Sequence, residues 1–200
     1  MPSRWEVDRV LGYDSFPYQV GKKTFAGLRD YCLVLLTLDT GIRPGESLSL
    51  LPRDLNLAGM EITIRKDIAK TRTTRTVPIS ALTVTHIQKL LRARLTSWGD
   101  TVPVFCSYEG HPMLGTSWAH RLRVYSKRLG HSVTPYSLRH SFALLYLRNG
   151  GNVFTLQRTM GHADLNMTKR YLALTQGDLK REHDTASPVN LFNKKRVKNI

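Results

Sequence analysis

Between Thr134 and Tyr171 the chain reads TPYSLRHSFALLYLRNGGNVFTLQRTMGHADLNMTKRY. That stretch carries an arginine (Arg139), a histidine behind a glycine (Gly161-His162) and, nine residues later, a tyrosine (Tyr171). An ionised phenol is a nucleophile, a guanidinium holds phosphate oxygens, and an imidazole moves or donates a proton. Together they are equipment for attacking a phosphodiester. A free phenol has a pKa of ~10, so roughly one in a thousand is ionised at neutral pH. Two nearby guanidinium groups favour the phenolate. Metal-free phosphoryl transfer also needs cations on the non-bridging oxygens and an acid for the leaving oxygen. Arg43 in TGIRPGE and Lys70 in the basic run DIAKTRTTR are the further cations available upstream.

The elements that must position these residues follow from pattern. Gly27 to Leu38 is apolar on nearly every face, which predicts a helix buried on most sides. Gly41 suits the left-handed residue that stops it, and Pro44 the first turn of a helix to about Leu50. Arg43 thus falls at a helix joint, beside unpaired N–H groups that favour an anion. Met60–Arg65 alternates as a strand and Thr76–Ile79 as a second, with Lys66, Lys70, Arg72 and Arg75 at the hairpin tip. Ser80 caps a helix over Leu82–Leu95, and Val102–Cys106 reads as a short strand. Thr116 caps a helix to Leu129, basic on one side through Arg121, Arg123 and Lys127. Thr134-Pro135 opens the next helix and Gly150-Gly151 ends it. Asn152 caps a short helix over Val153–Met160, stopped by Gly161.

The 200 residues suit one compact domain of mainly helical α+β class with a small antiparallel sheet. Lys+Arg of 30 against Asp+Glu of 15 gives a formal charge of +15, which predicts salt-sensitive attraction to polyanions, nucleic acid first. The longest apolar run, Tyr31–Leu38, is far short of the ~20 residues of a membrane span. MPSRWEVDRV has no signal-peptide apolar region. The expected setting is the cytoplasm, at the nucleoid. Cys32 and Cys106 lack CxxC spacing and read as inert buried thiols. The histidines show no metal-ligand spacing, so no metal or other cofactor is expected.

At this point the sequence resembles the tyrosine recombinase (phage integrase) family. TGIRPGE resembles that family's first arginine box, and TPYSLRHSFA through GHADLNMTKRY its second, with the same step from histidine to tyrosine. The resemblance implies the family's catalytic fold over residues 25–175, after a lead-in segment 1–24. It implies that Tyr171 attacks the scissile phosphate to form a 3′-phosphotyrosyl link, with Arg43, Arg139 and His162 on the phosphate oxygens. Lys70, matched to the hairpin lysine, would protonate the departing 5′-oxygen. It implies double-stranded DNA as partner and a tetramer on two sites as the working assembly. Residues 176–200 form a tail exchanged between protomers, or folded back on the chain's own domain. One position departs from the pattern: three residues before Arg139 the family usually has histidine, and here stands Tyr136. A phenol donates a hydrogen bond but is a poor base near pH 7.

The family generally carries an N-terminal core-binding domain, and with roughly 25 residues before the resemblance the chain is expected to be either an isolated catalytic domain or a naturally short recombinase. Two alternatives stay open on sequence: relaxation of DNA in the manner of a type IB topoisomerase, and a non-catalytic DNA-binding domain of the same fold. Lys66, Arg72, Arg75, Arg121, Arg123 and Lys127 are the candidate contacts to the DNA backbone.

Overall fold

A long buried helix organises the chain. In the computed structural model, which describes residues 24–161, helix α1 runs Phe25–Thr40. Its N-cap is Thr24, whose side chain accepts from the Gly27 N–H at 3.2 Å. Gly41 stops it in the left-handed conformation, φ 61°. The short helix α2, Pro44–Leu48, follows after two residues. Residues 1–23 of the lead-in segment, His162, Tyr171 and the tail lie outside the described residues.

After a 3-10 turn at Pro52–Asp54 come three short strands, β1 (Leu55–Asn56), β2 (Glu61–Ile64) and β3 (Arg75–Pro78). They form one antiparallel sheet in sequence order, with Leu55 opposite Ile62 and Ile64 opposite Arg75. The hairpin was expected; β1 is an addition, too short for any alternation to show. The sheet puts Ile62, Ile64 and Val77 on the core. Helix α3, Ala81–Arg92, is capped by the Ser80 hydroxyl accepting from Thr83 N–H. It ends three residues before the expected Leu95, and a second 3-10 turn covers Thr96–Trp98.

The expected strand at Val102–Cys106 is not one. Within it, only Cys106 pairs in strand fashion, an isolated bridge with Pro112. The carbonyls of Val102 and Pro103 instead accept from the Arg94 guanidinium at 3.0 and 2.6 Å. A side-chain fork thus takes the acceptors a neighbouring strand would need. Helix α4, Gly115–Leu129, starts one residue before the predicted cap, Leu114 occupying the N-cap place. Helix α5, Pro135–Arg148, has the predicted Thr134 cap and N1 proline. Helix α6, Val153–Met160, has the predicted Asn152 cap and stops at Gly161, φ 63°.

The main core joins Leu33 and Leu36 of α1, the inner face of the sheet, Ile87 and Leu90 of α3, and Trp118 and Leu122 of α4. Helix α5 lies along α1. It sends Leu138 into that core and Phe142, Ala143 and Leu144 into a smaller cluster with Leu156 and Met160 of α6. Buried on two sides, α5 ties α6 to the rest. Both cysteines are buried, as expected, and burial pushes the Cys32 thiol up to about 12. No helix among the described residues is long and apolar enough to cross a membrane.

Candidate active site

The site is built at three chain stops: the Gly41 turn, the N-terminus of α2, and the C-terminus of α6. At Gly41 a Cβ would collide with the Phe142 ring of α5, so the residue must be glycine for space as well as for its positive φ. That close approach brings α5 onto the joint between α1 and α2. Arg139, one turn before Phe142, is 5% exposed, and its Nη1 donates to the Gly41 carbonyl. Arg43 sits as N-cap of α2 in extended conformation, φ −69° and ψ 145°. Its own N–H donates to Glu46 Oε2 at 3.2 Å, half of a capping box.

Three arginines then converge on consecutive carbonyls at the end of α6. Arg75 Nε donates to Thr159 O at 3.2 Å, Arg139 Nη2 to Met160 O at 2.9 Å, and Arg43 Nη2 to Gly161 O at 2.7 Å. The last carbonyls of a helix lack intrahelical partners and carry the negative end of its dipole. Guanidinium groups satisfy both needs. Gly161 directly precedes His162 in sequence, and two of the three arginines at this end, Arg43 and Arg139, are those expected to meet the phosphate.

Glu46 is the counter-charge. Its side chain is 2% exposed and receives Arg43 Nη1 at 3.1 Å, Arg75 Nη1 at 3.1 Å and Arg75 Nη2 at 2.6 Å. Burial alone would push its carboxyl up. The hydrogen bonds and charge of Arg75, then the charge of Arg43, overcome that and hold it below the usual carboxylate range. Arg43 is the local partner, three residues before Glu46. Arg75 is the distant one, reaching it from β3, 29 residues along the chain.

The hairpin expectation therefore needs a correction. Lys66, Lys70 and Arg72 are exposed along the β2–β3 connection. Lys70 is tied to the site by its backbone, its N–H donating to Glu46 Oε1 at 3.4 Å. Arg75 does not stand at the tip. It opens β3, its side chain is 12% exposed, and its guanidinium is committed to Glu46 and Thr159. Strand parity was the available signal: Arg75, Val77 and Ile79 share one face, and the latter two are core residues.

A second correction concerns α4. Arg121 was expected on a DNA-facing surface with Arg123 and Lys127. Its Nε instead donates to the buried carboxylate of Asp30, and its Nη2 to the Tyr125 hydroxyl at 2.7 Å. The Tyr125 hydroxyl donates to Asp30 at 2.6 Å, and Arg29 pairs with the same carboxylate at 2.8 Å. Arg121 lies one turn from both Trp118 and Tyr125, on the stripe that packs inward. Burial raises the Tyr125 hydroxyl's pKa, and the Asp30 charge raises it further. Arg123 and Lys127 are exposed and line a cleft of about 430 Å³ with His131, Thr134 and Pro135, at the N-terminus of α5. Tyr136, the second residue of α5, is 61% exposed.

The geometry thus unites Arg43, Arg139 and the Lys70 backbone around Glu46 and the α6 terminus, and leaves Tyr136 at the surface. The model of the phage integrase family matches residues 18–177. Tyrosine recombinase XerC of Myxococcus xanthus is 29% identical over 196 residues, covering 94% of this chain and 63% of its own length. The crystal structure of XerA recombinase superposes with a TM-score of 0.73 at 27% identity, over 93% of this chain and 62% of that one. XerH site-specific recombinase, solved in a post-cleavage complex with a palindromic difH substrate, gives 0.69 at 24% identity over 93% of this chain and 52% of its own. The chain spans less than two thirds of the length of these relatives. The fold is that of a tyrosine recombinase catalytic domain, and the chain belongs to the phage integrase family.

Proposed function

We propose that this chain carries the catalytic machinery of site-specific DNA recombination, cutting and rejoining duplex DNA through a 3′-phosphotyrosyl intermediate on Tyr171. The observation that carries the reading is the convergence of Arg43 and Arg139, from two helices, on the adjacent carbonyls of Gly161 and Met160. Two guanidinium groups fixed on neighbouring carbonyls, in the stretch that precedes His162 in sequence, make a clamp for the non-bridging oxygens of a phosphate.

In the first step Tyr171 gives its phenolic proton to solvent and its oxygen bonds to phosphorus as the bond to the 5′-oxygen breaks; that oxygen takes a proton from Lys70 and leaves as the 5′-hydroxyl. Arg43 and Arg139 neutralise the charge that grows on the pentavalent phosphorus, and His162 adds a hydrogen bond. The new phosphodiester stores the energy of the old one, so a second DNA end can attack it and release the tyrosine. Tyr136 enters as a surface phenol one turn before Arg139, able to donate a hydrogen bond to DNA and poorly suited to act as a base.

DNA-backbone contacts come from Lys66 and Arg72 on the hairpin and from Arg123 and Lys127 beside the α5 N-terminus, where dipole and cations favour the same anion. A tetramer on two sites, exchanging strands through a Holliday junction, is the assembly that carries out both cuts. Support for DNA as substrate comes from the net charge of +15 and from XerH, which was solved on its DNA.

The test uses a duplex whose site is first recovered by binding selection from randomised DNA, then nicked near the cut so that cleavage cannot reverse. A covalent adduct resisting denaturation, lost in Tyr171→Phe, is the expected result. No adduct with the wild-type chain favours a binding-only domain. Relaxation of any supercoiled plasmid regardless of site favours a topoisomerase.

A further inference from the structure

We propose that Arg75 is a positioning residue for the leaving-group acid: it sets the place of Lys70 through Glu46 and makes no contact with DNA. The inference rests on the recombinase reading of the site. Arg75 meets Glu46 with two parallel bonds, Nη1 to Oε1 at 3.1 Å and Nη2 to Oε2 at 2.6 Å, the fork-to-fork geometry that fixes orientation as well as distance. The third bond, Nε to Thr159 O at 3.2 Å, reaches the end of α6. Gly161 leaves room for it, since a Cβ there would stand 2.9 Å from Arg75 Cζ.

One carboxylate oxygen collects the consequences. Glu46 Oε1 accepts from Arg43 Nη1, Arg75 Nη1 and the Lys70 N–H. An anchored oxygen therefore sets the place of the hairpin lysine, whereas Arg43 keeps its own hold on Gly161 O, which does not pass through Arg75. The connection from 65 to 74 is largely exposed, so its path depends on its ends. Arg65 pins the incoming end to Asp54 at 2.9 Å and to Ser49 O at 3.2 Å. Arg75 pins the outgoing end, next to Ile64 across the ladder. A phosphate contact by Arg75 would strand Glu46, a buried carboxylate, without its bidentate partner.

The test compares cleavage of the selected duplex carrying either the ordinary 5′-oxygen or a bridging 5′-sulfur at the cut. A thiol leaves as the thiolate and needs no acid, because its pKa is about 8.5. Arg75→Lys keeps a positive charge beside Glu46 and removes the fork and its Thr159 bond, and Arg75→Gln removes the charge as well. The expected result is a fall of about 10–100-fold in single-turnover cleavage of the oxygen substrate, mostly recovered with sulfur. In a Lys70→Ala background the same change should cost almost nothing further, since both act on one step. The slope of log affinity against log salt should stay at the wild-type value. An equal loss on both substrates, additivity with Lys70→Ala, or a slope lowered by about one contact each overturns the proposal. Failure of the wild-type chain on both substrates is a different result: it removes the recombinase reading itself, and the positioning role with it.

Discussion

Gly41 lies under the ring of Phe142 so closely that a Cβ there would overlap it. The contact joins the end of α1 to the middle of α5 and puts Arg139 within reach of the Gly41 carbonyl. The glycine also holds φ 61°, which an L side chain adopts at a cost of about 1 kcal/mol. Gly41→Ala therefore combines backbone strain with overpacking, which adds roughly 1–3 kcal/mol. The expected loss is about 2–4 kcal/mol in urea unfolding, with cleavage activity falling because α5 and its arginine are displaced. Unchanged stability would mean that α5 does not approach Gly41 this closely in solution.

Glu46 predicts a pH signature. Its folded pKa lies below the ordinary 4.5, so it contributes stability that is fully present above that value. As pH falls from 4.5 through the lower folded pKa, protonation removes that contribution. Glu46→Gln has no such titration. At pH 7 it should be less stable by about 3–5 kcal/mol, the usual cost of breaking a buried pair from one side. The gap should narrow as pH drops below 4.5. Unfolding free energies of the two proteins measured from pH 7 to pH 3 check both the size and the sign.

Much of this arrangement was legible in the sequence because it is local. Gly41 and Gly161 as helix stops, Thr134-Pro135 and Asn152 as helix starts, and the alternation of β2 are written within a few residues. What was hidden depends on partners far along the chain. Arg94 removes a strand by taking carbonyls at 102 and 103, which no propensity at Val102–Cys106 can anticipate. Arg121 turns inward because Asp30, 91 residues earlier, is buried and needs a cation. Arg75 was readable in principle from the parity of β3, had the strand been started one residue sooner. The convergence of three arginines on Thr159, Met160 and Gly161 is a tertiary fact, though each arginine and the Gly161 turn could be named beforehand.

The two kinds of basic residue on α4 should separate by salt dependence. Arg123 and Lys127 are exposed beside the α5 N-terminus, whereas Arg121 is held by Asp30. Arg123→Ala and Lys127→Ala should each lower the slope of log affinity against log salt by about 0.9, one phosphate contact apiece. Arg121→Gln should leave the slope alone and lower stability, because among the described residues Asp30 then keeps Arg29 and Tyr125. Affinities for a duplex between 50 and 200 mM salt (about a fourfold range, wide enough for a slope of this size) make the comparison. A reduced slope in Arg121→Gln would show that its guanidinium reaches DNA.

Arg139 should be indispensable in two separable ways. It is buried, it bridges the Gly41 and Met160 carbonyls, and it is one of the two cations proposed for the phosphate. Arg139→Ala removes bridge and charge together, so both folding and chemistry should suffer. Arg139→Lys restores a charge at the site, but a single ammonium lacks the planar fork that spans two carbonyls while facing a phosphate. Loss of one preorganised donor of this kind costs on the order of 10²–10³ in rate. Arg139→Lys should therefore remain folded, bind duplex DNA at near wild-type affinity, and cleave the nicked substrate slower by about that factor. Single-turnover adduct formation at saturating protein isolates the chemical step from binding. Cleavage at the wild-type rate would show that charge alone suffices and that the fork on Met160 and Gly41 serves only packing.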